Sequence, residues 1–230
     1  MANKCFNFLA QLMRIRGASN IIMKFYIIAL FSFISIAIKA ADPQWDEAIF
    51  NKCNTAKEIG YLSLEEKSVI FYLNLVRVNP KLFAQTYLKN YLDTAPINQT
   101  EYLKSLQKEL NTLKPMNPLK PQFDLYEVAK KHATEMGLQG KTGHISLSGK
   151  NFESRAKELS KRYKKLMENC QYGYADGLSI VIDLLIDEDI PELGHRKSLL
   201  NKDVKFIGTS IQKHKIYQYN CVIEMGSDLN

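Results

Sequence analysis

Residues Gly177 to Asn201 read GLSIVIDLLIDEDIPELGHRKSLLN. Leu178, Val181, Ile182, Leu185 and Ile186 recur at i, i+3, i+4, i+7 and i+8, the period of a helix, and Asp176 stands where an N-cap belongs. This helix is apolar over most of its circumference, which predicts deep burial. It ends on Asp187 and Glu188, and carboxylates at the end of a buried helix need partners, because an unpaired buried charge is costly. A few residues on, His195 sits between Gly194 and Arg196. Glycine lets the backbone approach a neighbour closely, and arginine holds a carboxylate or carbonyl.

Working outward, residues 204–213 (VKFIGTSIQK) and 216–226 (IYQYNCVIEMG) are β-rich, with His214-Lys215 between them, the pattern of a hairpin. Residues 163–173 (YKKLMENCQYG) are compatible with another strand. Upstream, Ser63 and Glu66 open a helix with the capping-box pattern, and Val69, Leu73 and Val76 share its face. Pro80 ends it, and a second helical piece follows to residue 92. Residues 100–114 form a third helix, and KPMNPLKP, with three prolines, is an extended connection. In FDLYEVAKKHATEMGLQG, Leu125, Val128, Ala129, Ala133 and Met136 recur at helical spacing until Gly137 or Gly140. A loop and a short helix from Phe152 to Leu159 complete the pass. The expected architecture is α+β, helices on a small antiparallel sheet, as one domain over residues 63–230. A polar N-terminal segment, residues 41–62, precedes it.

The first forty residues are unlike the rest. They carry five basic residues, no acidic one, an apolar run from Phe25 to Ile38 and the small pair Ala40-Ala41. That is the pattern of a secretory signal peptide over residues 1–40, too short in its apolar core to span a bilayer comfortably. Met23-Lys24 resembles a natural start, which would make residues 1–22 an upstream extension. Once the signal is removed, no transmembrane span is expected, and the place of the protein is extracellular or periplasmic. The formal charge of +7 is largely the leader's, since without it 26 basic residues face 24 acidic ones. The remaining lysines are interspersed with acids, which argues against a nucleic-acid partner. Cys5 leaves with the leader. Cys53, Cys170 and Cys221 remain in an oxidising compartment, so one disulfide and one free thiol are expected. Cys170 and Cys221 lie in strands that should be neighbours, and they are the expected pair.

All four histidines follow residue 131. His132 lies on the apolar face of its helix and reads as a core residue. His214 falls in the hairpin turn and reads as solvated. His144 and His195 each follow a glycine in a connecting segment, where binding groups are found on a rigid scaffold. Glu168 is an acid in an otherwise apolar or small pattern. Two imidazoles and two carboxylates could therefore share a cleft, but spacing alone does not bring them together. The common hydrolase, zinc-protease and nucleotide-binding motifs are absent.

In combination these pieces resemble the CAP superfamily, the cysteine-rich secretory, antigen 5 and pathogenesis-related proteins, in its bacterial form with an SCP domain. The resemblance runs from about Leu64 to Ser227. YLNLVRVNP supplies an N-x-x-R pattern through Asn74 and Arg77, and GHISLSGKNFESR supplies His144 with Arg155 downstream. MENCQYG supplies Glu168-Asn169, LLIDEDIPELGHRKSLLN the last histidine, His195, and FIGTSI the strand after it. The resemblance implies a three-layer α-β-α sandwich with a central cleft holding His144, Glu168, His195 and a second acid. That acid is Glu188, which shares the buried face with Leu185 and Val181, or alternatively Asp187. Met167 stands where the family usually has glycine. Three functions fit this residue set. One is a secreted module that needs no cofactor but binds a divalent metal such as zinc through His144 and His195, with a lipid, glycan or protein partner. Another is a metal-assisted hydrolase using Glu168 as base and His195 to hold the water. The third is a purely structural polar network.

Overall fold

The computed structural model describes residues 44–95 and 98–229, so the expected leader lies outside the described residues. Asp46 caps α1, Glu47–Cys53, a helix in the segment that carried no expected element. Helix α2, Leu64–Val78, starts on the anticipated capping box: the Ser63 hydroxyl accepts from the Glu66 N–H, and Glu66 accepts from the Ser63 N–H. The other Glu66 oxygen accepts from the Ile211 N–H at 3.0 Å, so the cap also fastens the helix to the sheet. Pro80 opens α3, Pro80–Phe83, which runs through a π-turn, Ala84–Leu88, into α4, Lys89–Thr94. Helix α5 is Glu101–Thr112. The proline-rich connection ends in the two-residue strand β1, Lys120–Pro121. Then come α6, Phe123–Gln139, the short α7, Phe152–Arg155, and β2, Leu166–Tyr172. The buried helix is α8, Gly177–Ile186, and His195 lies in α9, Gly194–Leu199. Strands β3, Phe206–His214, and β4, Gln218–Gly226, form the hairpin.

The sheet order is β1-β3-β4-β2. Its three long strands are antiparallel as expected, while β1 adds a parallel edge beside β3. Helix α6 covers one face, and α2 and α8 cover the other. Ile207, Ile223, Met225 and Cys221 join the main core with Val69, Leu73, Val181 and Leu185. On the opposite face Cys170 and Val222 pack with Ala129 and Ala133 of α6. Glycine sets how closely α6 lies on the strands. A Cβ on Gly208 would fall 2.1 Å from the Tyr126 nitrogen, and one on Gly137 would fall 2.1 Å from the Lys213 carbonyl oxygen.

The same alternation removes the expected disulfide. Cys170 is opposite Val222 and Cys221 is opposite Gln171, so the two cysteines point to opposite faces of the sheet, because successive strand side chains alternate. Cys53, Cys170 and Cys221 are all free thiols. Neighbouring strands are necessary for such a bond, but a shared face is necessary too. Cys221 instead lies 3.3 Å from the Thr209 hydroxyl.

Two buried residues of the N-x-x-R pattern hold the layers in place. Asn74 donates to the Cys53 and Leu119 carbonyls and accepts from the Leu119 N–H at 2.7 Å. Arg77 donates to the carbonyls of Asn117, Leu199, Asn201 and Val204. It thereby fastens the C-terminal end of α9 to α2.

Candidate functional site

The loop after α6 presents His144, and Gly143 anchors that loop. Its φ of 96° lies in the region where glycine is at home. The Gly143 N–H donates to the Tyr172 hydroxyl at 2.8 Å, and its carbonyl lies 2.9 Å from His132 Nε2. His132 is buried, as its place on the apolar face of α6 predicts, and burial lowers its pKa and keeps the ring neutral. His214 departs from the expected solvated turn. It is buried, its Nδ1 accepts from the Ile216 and Tyr217 N–H groups, and its Nε2 meets the Lys141 carbonyl at 2.9 Å. This imidazole thereby pairs two backbone N–H groups of the hairpin turn within the protein.

His144 Nδ1 lies 2.8 Å from Glu168 Oε1. Arg155 Nη2 donates to both Glu168 oxygens, at 2.7 and 2.6 Å, and to the His144 carbonyl at 3.1 Å. The Glu168 side chain is only 1% exposed. Burial pushes its carboxyl up, but hydrogen bonds from His144, Glu224 and Arg155 outweigh burial and hold it at about 2. An ionised carboxylate only accepts, so His144 carries its proton on Nδ1.

Glu224 is the residue that sequence reasoning missed. It faces Glu168 across the β2–β4 register and is fully buried. Arg155 Nη1 is 4.0 Å from it, and no N–H or hydroxyl donor reaches either of its oxygens. Burial first, then the charge of Glu168, raises its carboxyl well above the usual range, and the retained proton is donated to Glu168. A lone acid among the apolar residues of CVIEMG was the available signal. Because the unfolded chain ionises Glu224 near the ordinary 4.5 while the native state keeps its proton, unfolding releases a proton above that pH. Stability therefore falls with rising pH by up to about 1.4 kcal/mol per unit until the native carboxyl ionises. Glu224→Gln removes this linkage. It should melt with the parent at about pH 4 and above it at about pH 8, and a difference that does not grow with pH would refute the protonated assignment.

On the other side of the cleft, His195 Nδ1 lies 2.7 Å from Asp187 Oδ1. Asp187 Oδ2 also accepts the N–H groups of His195 and Arg196. The second acid is therefore Asp187 and not the preferred Glu188, which is exposed and accepts from the Thr100 hydroxyl at 2.8 Å. The helix period misplaced it because α8 stops at Ile186 and Asp187 takes a left-handed φ of 57°, which turns its side chain back towards α9. Gly194 is not needed for a close approach, since a Cβ there would meet nothing within 4 Å. Arg196 braces carbonyls, those of Leu185, Ile186 and Tyr102.

Both imidazoles line one cleft of about 560 Å³, together with Glu168, Met167, Asn169 and Ser198. It opens along β2, the edge strand beside β4. His144 and Glu168 come from the α6 side, and His195 with Asp187 behind it from the α8 side. Each histidine has its Nδ1 on a buried carboxylate. Among the described residues, one compact cluster of potential metal-ligand atoms falls within 4.8 Å, that of His132, Glu168 and Cys170. Its carboxylate is already committed to Arg155 and His144.

The model of the cysteine-rich secretory protein (CAP) family matches residues 72–225, and the chain belongs to that family. Over 96 residues the chain is 31% identical to the uncharacterized membrane protein YlbC of Bacillus subtilis, covering 42% of this chain and 26% of that protein. It thus spans about a quarter of the length of the curated relative it matches. Among solved structures, it is similar to an outer surface protein of Borrelia burgdorferi, with 24% identity, a TM-score of 0.42, and coverage of 57% of this chain and 96% of that one. Schistosoma mansoni venom allergen-like protein 4 matches with 13% identity and a TM-score of 0.42, over 74% of this chain and 91% of that one. An extracellular SCP-domain protein from Bacillus anthracis matches with 16% identity and a TM-score of 0.39, over 59% and 45%. No helix among the described residues is long and apolar enough to cross a membrane.

Proposed function

We propose that the protein is an exported binding module whose cleft takes a divalent metal ion such as zinc through the Nε2 atoms of His144 and His195. One observation carries this reading: each imidazole lines the same cleft and has Nδ1 held by a buried carboxylate, Glu168 or Asp187. Carboxylate–histidine pairs of this kind fix the tautomer, leave Nε2 with its lone pair, and raise the basicity of the ligand. The donor set fits a borderline cation, and two protein ligands leave positions open for water or a partner molecule. A bound ion would supply Lewis acidity at those positions. Glu168 and Asp187 orient the rings, and Arg155 and the Arg196 N–H fix the two carboxylates. A hydrolytic use of Glu168 is disfavoured, because a carboxyl held at about 2 with both oxygens engaged is a weak general base.

Calorimetric titration of zinc into the folded protein should show one site. His144→Ala and His195→Ala should each weaken it at least about tenfold, the scale on which even outer-shell partners act. Glu188→Gln should leave binding unchanged. Unaltered zinc binding in both histidine variants would end the proposal and leave the cleft as a structural network.

A further inference from the structure

The far end of the β3–β4 hairpin bears a surface that the cleft does not use. Leu138 near the end of α6 is 69% exposed, Ile216 in the hairpin turn 67% and Tyr217 46%. Large apolar side chains this exposed and this close together are unusual on a surface that meets only water. Around them stand Lys141, Lys213 and Lys215, all exposed, and neither 136–141 nor 213–219 contains an acidic residue. Between the turn and α6 lies a depression of about 490 Å³ lined by Gly137, Leu138, Lys213, His214, Lys215 and Tyr219, whose formal charges are all positive.

The turn is held rigid, so its apolar residues are displayed and not merely loose. His214 Nδ1 caps the Ile216 and Tyr217 N–H groups, and the Lys215 N–H donates to the Gly137 carbonyl at 2.9 Å. The His214 ring packs on Tyr172 and Tyr217 at 5.5 and 5.2 Å. Lys213 is steadied over the Tyr219 ring at 4.2 Å. Preorganisation of this kind lowers the ordering cost of docking.

We propose that this tip docks on an anionic phospholipid surface. Ile216, Leu138 and Tyr217 enter the boundary between headgroups and acyl chains, while Lys141, Lys213 and Lys215 meet the phosphates, the depression taking one headgroup. Charge complementarity selects this occupant, because three lysines and no acid from 136–141 or 213–219 flank the apolar centre, and Glu135, one turn back on α6, is engaged by the Leu147 N–H at 2.9 Å. Apolar insertion and lysine attraction are separate contributions, each modest and together sufficient for reversible binding. Three residues after Lys141 the chain reaches His144, and Tyr172 touches both the tip and the Gly143 N–H, so docking would hold the cleft's loop near the bilayer. The inference is independent of the metal reading of the cleft, since loss of zinc binding would leave it standing.

The test places a reporter in the turn itself, which separates this surface from any contribution of the N-terminal leader. Ile216→Trp is made in the full chain with Trp45→Phe, so that the only indole is at the tip. Vesicles of phosphatidylcholine with about one-third phosphatidylglycerol should shift its emission to the blue, and brominated lipids should quench it. Pure phosphatidylcholine vesicles should do neither. Lys141→Gln and Lys215→Gln, both at exposed positions, should each weaken partitioning about fivefold, as expected for a lysine at a charged membrane surface. Ile216→Glu, followed by vesicle sedimentation, should reduce binding in the otherwise native chain with the melting temperature unchanged. An emission unmoved by anionic vesicles would overturn the proposal. So would equal binding to neutral vesicles, or complete competition by millimolar inorganic phosphate, which would mark the depression as a free-anion site.

Discussion

Arg155→Ala is expected to cost about 3–5 kcal/mol of stability, the range for stripping one partner from a buried ion pair. Arg155 donates to both oxygens of Glu168 and stands 4.0 Å from Glu224, while the Glu168 and Glu224 side chains are 1% and 0% exposed. Without the guanidinium, two stacked carboxyls are left with the His144 ring as the remaining polar partner on that side. The deficit has a definite pH dependence. In the parent, Glu168 ionises at about 2 when folded against an ordinary 4.5, so its stabilisation is complete above the ordinary value and is lost as pH falls through the folded one. The hydrogen bonds from His144 and Glu224 remain in the variant, which loses only the guanidinium's share of that contribution, so its deficit should be largest at neutral pH and shrink on acidification below about 4.5. Arg155→Lys should recover only part of the loss, because one ammonium replacing Nη2 beside Glu168 cannot also place a second nitrogen near Glu224, where Nη1 stands at 4.0 Å. Urea denaturation at neutral and acid pH measures both effects, and a deficit that is small or constant with pH would show that this cation does not hold the pair.

Arg77→Ala should be comparably damaging, at about 4 kcal/mol or more, although Arg77 reaches the cleft only through the backbone carbonyl of Asn201. Its guanidinium donates to four carbonyls, at position 117 and within 199–204, at 2.8 to 3.2 Å, and the residue has no exposure. Each buried carbonyl left without a donor costs about 1–3 kcal/mol, less where others compensate, and the cavity left behind adds to this. Two of those carbonyls, Leu199 and Asn201, lie at or just beyond the end of the helix that carries His195. Zinc affinity should therefore fall together with stability in Arg77→Ala, whereas a substitution on an exposed face of α5, away from the cleft, such as Lys108→Ala, should disturb neither. A variant that folds with the parent's urea midpoint would refute the view that Arg77 fastens α9 to α2.

The order of helices and strands was legible because it rests on local rules. The capping box at Ser63, the stop at Pro80, the apolar period of α8 and the β-rich pair around His214 all depend on residues a few positions apart, and each appears where expected. His144 and His195 could be singled out as glycine-preceded histidines in connecting segments, and Glu168 as an acid in an otherwise apolar or small pattern. Helix α1 escaped notice because its seven residues carry too short a period to stand out, and β1 because two residues have no pattern of their own.

Sequence alone thus determined the longer helices and the three long strands, and singled out most of the polar groups of the cleft, because those properties follow from backbone sterics and the cost of burying charge. Pairing between distant residues was decided only by the tertiary structure. The strand register put Glu224 against Glu168 and set Cys170 and Cys221 on opposite faces. The left-handed turn at Asp187 made it, and not Glu188, the partner of His195. Such outcomes depend on one residue of register or one backbone dihedral, and a change in either reverses the direction of a side chain without altering the local pattern that places it in a strand or a helix.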